Sequence, residues 1–204
     1  PKVSPAIYGF WRWEKGDKKM DEIVHFCLEK GINTFDHSDR YGEYTAEKTF
    51  GELLAKKSIQ RSDIVLFSKC GVNIPSPARP DIRVAHVNTS AAHIMASVEN
   101  SLRNLQTDYL DVFLLDQLDP LSDIETTALA LEKLKSSGKV KNIGVSNFSV
   151  YQHQLLVSWG RKVLCTLPTN SGVQHPESAK MEISAIDMYN VFFMIVVFIR
   201  IKHL

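Results

Sequence analysis

Asp36, Tyr41 and Lys69 are the residues of this sequence whose types and spacing could do chemistry together. A tyrosine phenol, with a reference pKa of about 10, is a weak acid at neutral pH, and a lysine ammonium beside it favours the tyrosinate and lowers that value. An aspartate would hold and orient the lysine. Such a trio hands a proton to a carbonyl oxygen while hydride reaches the carbon. The same residue types also serve as solvated or structural groups, so the trio alone leaves both roles open.

The elements that must position these side chains alternate along the chain. Short apolar runs rich in Val, Ile and Phe at residues 6–11, 32–37, 63–69, 109–116, 142–147 and 163–169 predict strands apolar on both faces. Between them run helical stripes: Met20, Ile23, Val24, Cys27 and Leu28, closed by Gly31; Ala46, Phe50, Leu53 and Leu54; Ile94, Val98, Leu102 and Leu105, with Ser90 as N-cap; Ile124, Ala128, Leu131 and Leu134, closed by Gly138; and a fifth around Leu155. Strand and helix alternating in this way imply parallel strands joined by right-handed crossovers, in a doubly wound sheet or a (β/α)8 barrel.

The cofactor chemistry of the two folds differs. Dinucleotide-binding doubly wound sheets carry G-x-G-x-x-G after the first strand, and none of the ten glycines here forms even a G-x-G. Polar residues follow the strands instead: Asp36 and His37, then Lys69, then Asp116, then Ser146 and Asn147, then Asn170. Polar groups gathered at the carboxyl ends of successive strands form the active-site pattern of the barrel. The predicted fold is therefore α/β, of (β/α)8 TIM-barrel type, incomplete, with six or seven of the eight units.

Composition sets the outer limits. The 204 residues suit a single domain, 1–204, and the net charge of +1 gives no sequence-wide reason to expect nucleic acid or an anionic membrane as a partner. The apolar run at 191–199 is far shorter than the roughly 20 residues of a membrane span. Three scattered cysteines predict neither a disulfide framework nor a zinc knuckle, and the first residues show no leader, so a cytoplasmic location is expected.

Four blocks carry a family resemblance. GINTFDHSDRYGEYTAEKTFGELL, beginning at Gly31, FSKCG at Phe67, TDYLDVFLLDQLDPL at Thr107 and GKVKNIGVSNFS at Gly138 resemble, in order and spacing, the signatures of the aldo-keto reductase family. With GFWR after the first strand, DHxDxYG after the second and SKCG after the third, the look is nearest to bacterial oxidoreductases, over roughly residues 5–170. The resemblance implies reduction of an aldehyde or ketone with NADPH bound across a barrel mouth. Asp36, Tyr41 and Lys69 match three of the family's catalytic four, Tyr41 being the proton donor. Ser146 and Asn147 match the pair that holds the nicotinamide carboxamide, Asn170 matches a further nicotinamide contact, and Gly9, Phe10 and Trp11 match the first loop lining the cofactor; Asp36 also touches it.

The chain departs from the family in three places. Asp116 and Leu118 stand in LLDQLDP where the family has histidine and proline, and Ser171 replaces a glutamine. An ionised Asp116 donates no hydrogen bond to a carbonyl and would compete with Tyr41 for Lys69; a protonated one would resemble the glutamate of steroid 5β-reductases and redirect the chemistry. After Asn170 the family wording is lost, and the seventh and eighth phosphate-binding loops have no match. A divergent tail, 171–204, with 191–199 as a seventh strand, predicts weak or absent NADPH affinity and self-association through open sheet edges. Two readings follow: an NADPH-dependent carbonyl or enone reductase acting on a small molecule, or a non-catalytic relative, either a binding module comparable to potassium-channel β-subunits or an inactive truncated form.

Other residues have paired readings. His37 beside Asp36 invites a metal, but His86, His93 and His153 fall in loop or helix positions, and no metal is expected. Cys70 is an oxidisable thiol or a buried spacer, Trp11 and Trp13 stack at the mouth or cap the rim, and the loop 71–89 is a lid or a solvated connection.

Overall fold

The computed structural model describes residues 1–14, 19–57 and 59–159 of the chain. Five strand–helix units run in order: β1 (Ile7–Gly9) and α1 (Met20–Glu29); β2 (Thr34–Asp36), a short α2 (Tyr41–Tyr44) and α3 (Ala46–Ala55); β3 (Val65–Cys70), a ribbon of β4 (Val72–Asn73) and β5 (His86–Val87), and α4 (Ala91–Leu105); β6 (Leu110–Asp116) and α5 (Ile124–Ser136); β7 (Val140–Ser146) and α6 (Val150–Trp159). The main sheet has the order β1-β2-β3-β6-β7, all parallel. Each strand feeds a helix that returns the chain to the same end, so the carboxyl ends share one edge.

The two faces of the sheet part company. Because side chains alternate along a strand, Phe35, Leu66, Phe113 and Leu115 join Phe10, Val24, Phe50, Val98 and Leu131 in the sheet–helix core. The opposite face gathers Val65, Phe67 and Leu114 with Ile7 and Val112. Counting by twos along β3 and β6 from that second cluster reaches Lys69 and Asp116 at the carboxyl ends, and Asp36, the last residue of β2, pairs in register with Phe67.

Local chemistry fixes the ends and crossings of the helices. The Ser90 side chain accepts the His93 N–H at the start of α4, as its position predicts, and Asp123 caps α5 through the Glu125 N–H. Between α3 and α4 a β-carbon on Gly51 would lie 2.0 Å from the carbonyl oxygen of Asn104, so the helices approach at a spot that only glycine allows.

Several expectations change. β1 and β2 are shorter than the apolar runs that announce them. The strand β7, at one side of the described sheet, is only half-buried along most of its length and so is not apolar on both faces. The connection at 71–89 carries the antiparallel pair β4 and β5, and most residues between those strands are exposed, as expected of a solvated connection. The predicted strand at 163–169, Asn170, and the tail with its strand at 191–199 lie outside the described residues, as do the open edges proposed for self-association.

Replacing Gly51 with alanine is expected to force α3 from α4 and lower stability by about 1–3 kcal/mol. Urea denaturation reads the loss as a fall in midpoint, and an unchanged midpoint would contradict the close approach.

Candidate active site

Neighbouring strands and their register bring Asp36 and Lys69 together. Asp36, the last residue of β2, sits opposite Phe67 of β3, and Lys69 follows Phe67 by two positions on the same face. The Lys69 ammonium donates to both Asp36 oxygens, at 2.5 and 2.7 Å, and to the His37 carbonyl oxygen at 3.0 Å. The ammonium lies 4.9 Å from the centre of the Tyr41 ring, and all three residues are buried. Burial alone would discharge the lysine, but Asp36 and Tyr41 together hold its pKa above the ordinary value. Burial pushes the Asp36 carboxyl up against the pull of Lys69, and Asp116 adds to the rise.

Tyr41 corrects one expectation. Burial raises its phenol above the ordinary value and outweighs the lowering by Lys69. The ammonium beside the ring therefore tempers a desolvated acid. After Tyr41 the backbone takes the left-handed conformation at Gly42, Glu43 and Tyr44, which swings the chain away before α3 begins.

Asp116 at the end of β6 is also buried, and its oxygens are turned to other partners. Asn147 donates to one oxygen at 2.6 Å, and the Arg40 guanidinium faces the other at 3.6 Å. The competition for Lys69 predicted from sequence is thus replaced by an Asn147–Asp116–Arg40 arrangement. Gly71, just past Lys69 and Cys70, makes room for it: at φ +133° its backbone runs so near β6 that a β-carbon would sit 2.3 Å from the Asp116 carbonyl oxygen.

The residues expected around a cofactor divide. Ser146 pairs in register with Asp116, and Asn147, at φ +58° and exposed, donates to Asp116 and, at 3.3 Å, to the Ser146 hydroxyl. Gly9 stands opposite Asp36. The Phe10 ring, however, is buried in the sheet–helix core, stacked at 4.6 Å on His37 and set edge-on to Trp13 and Phe50. Of the aromatic rings of that segment, Phe10 is thus buried, while Trp11 is exposed with Arg12 over its ring. Trp13 belongs to the core and caps no rim.

His37 and Cys70 resolve as packing residues. The imidazole lies between Phe10 and Phe50, neither of its nitrogens has a hydrogen-bond partner among the described residues, and burial with the Lys69 charge lowers its pKa to about 3. Among the described residues no three His, Cys, Asp or Glu side chains group so as to hold a metal ion. Burial drives the Cys70 thiol well above its ordinary range, which suits a spacer and not a thiolate.

Three polar residues escaped the sequence reading. Arg40 reaches from the β2 exit toward the β6 end; its position next to Tyr41 was the available signal. Glu47, in the first turn of α3, accepts from Ser68 at 2.7 Å and from Asn104 at 3.3 Å. With Asp39, Tyr44, Arg79 and Ser97 it lines a cavity of about 240 Å³. Burial first, and Glu47 next, push Asp39 up to about 7.

The geometry has a counterpart among known proteins. The model of the aldo/keto reductase family matches residues 6–181. The chain belongs to the aldo/keto reductase family. It is 47% identical over 168 residues to the uncharacterized oxidoreductase YcsN of Bacillus subtilis, covering 81% of this chain and 56% of that protein. It is 41% identical over 161 residues to a 6-dehydroglucose reductase of Agrobacterium fabrum, covering 77% and 54%. Among solved structures, a glycerol dehydrogenase from Gluconobacter oxydans superposes with a TM-score of 0.67 at 28% identity, over 79% of this chain and 49% of that one. The aldo/keto reductase chain thus spans about half the length of these relatives, and its described strands and helices are those of a TIM-barrel-type fold.

His37 supplies a pH test. Its folded pKa of about 3 lies below the ordinary 6.5, so the unfolded chain binds the proton more readily. Stability that is present above about pH 6.5 is lost as the pH falls toward 3. His37→Phe removes both the titration and the unpaired nitrogens; a gain of about 1 kcal/mol is expected at pH 8, and a larger one at pH 5. Urea midpoints at the two pH values measure it, and equal gains would contradict the assignment.

Proposed function

We propose that the protein is an NADPH-dependent oxidoreductase that reduces a small aldehyde or ketone, with Tyr41 as the proton donor. The observation that carries the reading is the buried Lys69 ammonium, held on both oxygens of Asp36 while it lies beside the Tyr41 ring. When bound, NADPH supplies the hydride. The residues at the strand ends fit its nicotinamide: Ser146 and Asn147 offer a hydroxyl and an amide at the end of β7, and the Asn147 amide oxygen takes no hydrogen bond among the described residues. Gly9 and Trp11 add backbone and ring surface beside Asp36.

The chain's own residues account for the proton. The Tyr41 phenol gives its proton to the carbonyl oxygen, and the tyrosinate that remains is stabilised by Lys69. Asp36 keeps Lys69 charged through the step, and the His37 carbonyl fixes the direction of the ammonium. The relatives named for 6-dehydroglucose and glycerol put hydroxylated substrates first in any assay.

A second reading, a binding module without turnover, is favoured by one observation. Asp116 occupies the donor of Asn147 and offers no donor of its own while ionised. Cofactor binding and turnover separate the two readings. Titration of NADPH against tryptophan fluorescence, followed by NADPH oxidation with glyceraldehyde, should show both binding and turnover. Tyr41→Phe should keep the binding and lose at least about 100-fold in kcat. Binding without turnover supports the module; turnover undiminished in Tyr41→Phe removes Tyr41 as the acid.

A further inference from the structure

We infer that Arg40 and Asp116 form a hydroxyl-reading pair at the mouth, which selects carbonyl substrates that carry a hydroxyl close to the reacting carbon. The inference rests on the proposed carbonyl reduction for its placement beside Tyr41, and on the structure for its chemistry. Arg40 leaves the end of β2, and Asp116 ends β6, with β3 between them in the sheet. Their contact therefore spans the strand that carries Lys69.

The gap is the first observation. At 3.6 Å the guanidinium nitrogen and the Asp116 oxygen are an ion pair but too far apart for a good hydrogen bond. A hydroxyl oxygen set to one side of the line joining the two atoms reaches each at about 2.8 Å, accepting from the guanidinium and donating to the carboxylate. The second observation is unused donor capacity. The Arg40 Nε–H is buried and has no hydrogen-bond partner among the described residues, and the side chain remains partly open, 31% exposed. The third is position: the guanidinium carbon lies 5.6 Å from the centre of the Tyr41 ring, within the span of a small hydroxylated carbonyl compound.

Charge favours a hydroxyl over an anionic group. Asp116 stands beside the guanidinium and would repel a carboxylate or phosphate brought to it, while Lys69 is already matched by Asp36. A neutral hydroxyl satisfies donor and acceptor at once. Once the pair is closed off from water, a substrate lacking the hydroxyl leaves the Arg40 donor short of an acceptor, and such sites discriminate steeply. The expected preference is roughly 10- to 100-fold.

The test compares glyceraldehyde with propanal, which lacks both hydroxyls, in NADPH oxidation by the full chain. It adds ligand-detected NMR with sorbitol, a polyol with no reducible carbonyl. The parent should favour glyceraldehyde by at least about tenfold in kcat/KM and should bind sorbitol. Arg40→Gln should bring the ratio close to one and weaken sorbitol binding, and Arg40→Lys should keep part of both. Arg40→Lys serves alone if Arg40→Gln does not fold. Equal kcat/KM for the two aldehydes in the parent, a ratio unmoved by both variants, or a preference for succinic semialdehyde over both would overturn the pair; the last marks an anion anchor. If neither aldehyde turns over, carbonyl reduction fails as the function. Sorbitol binding that depends on Arg40 would still support the pair, and its absence from the parent would overturn it.

Discussion

The ion pair between Lys69 and Asp36 is the constraint on which the rest of the site depends. Removing an ammonium and a carboxylate from water costs several kcal/mol for each ion, and attraction offsets that cost only where geometry is good and the remaining hydrogen-bonding capacity is used. Here the ammonium meets both carboxylate oxygens and a backbone carbonyl. Removal of either partner would leave the other charged and buried. The pair also fixes the register of β2 against β3 at their carboxyl ends, since a slip by one residue would turn one of the two groups into the sheet–helix core.

Around that pair the mouth is built of compensating charges. Asp36 and Asp116 are both buried on one edge of the sheet, and each raises the cost of ionising a neighbour unless a cation stands by. Lys69 answers the first, and Arg40 with the Asn147 amide answers the second. Tyr41 lies near both cations, with Lys69 4.9 Å and Arg40 5.6 Å from its ring centre. Asp116, where the resemblance implies a histidine, thus has a guanidinium at hand.

What the sequence made legible follows the range of each signal. The alternation of apolar runs and helical stripes located all five described strand–helix units, because periodicity is local and each element repeats it. The trio of Asp36, Tyr41 and Lys69 was legible because strand ends in a parallel sheet share one edge. The sign of the Tyr41 shift was not, because burial depends on everything packed above the ring. Trp13 and Phe10 read as mouth residues from their place after β1, yet the turn after Gly9 sends the Phe10 ring against Phe50 of α3 and the Trp13 ring against Phe10. Arg40 was passed over since its partner lies two strands away, a distance that no local pattern reports. The β4–β5 ribbon rests on two residues to a strand, too short for periodicity to show.

A double-mutant cycle on Asp36→Asn and Lys69→Met measures the central interaction directly, with unfolding followed in urea. Each single change should cost about 3–5 kcal/mol, and the double change should cost clearly less than the sum, by about 2 kcal/mol or more. Additive costs, within about 0.5 kcal/mol, would show that the two charges do not depend on one another and would contradict the account of the site built on them.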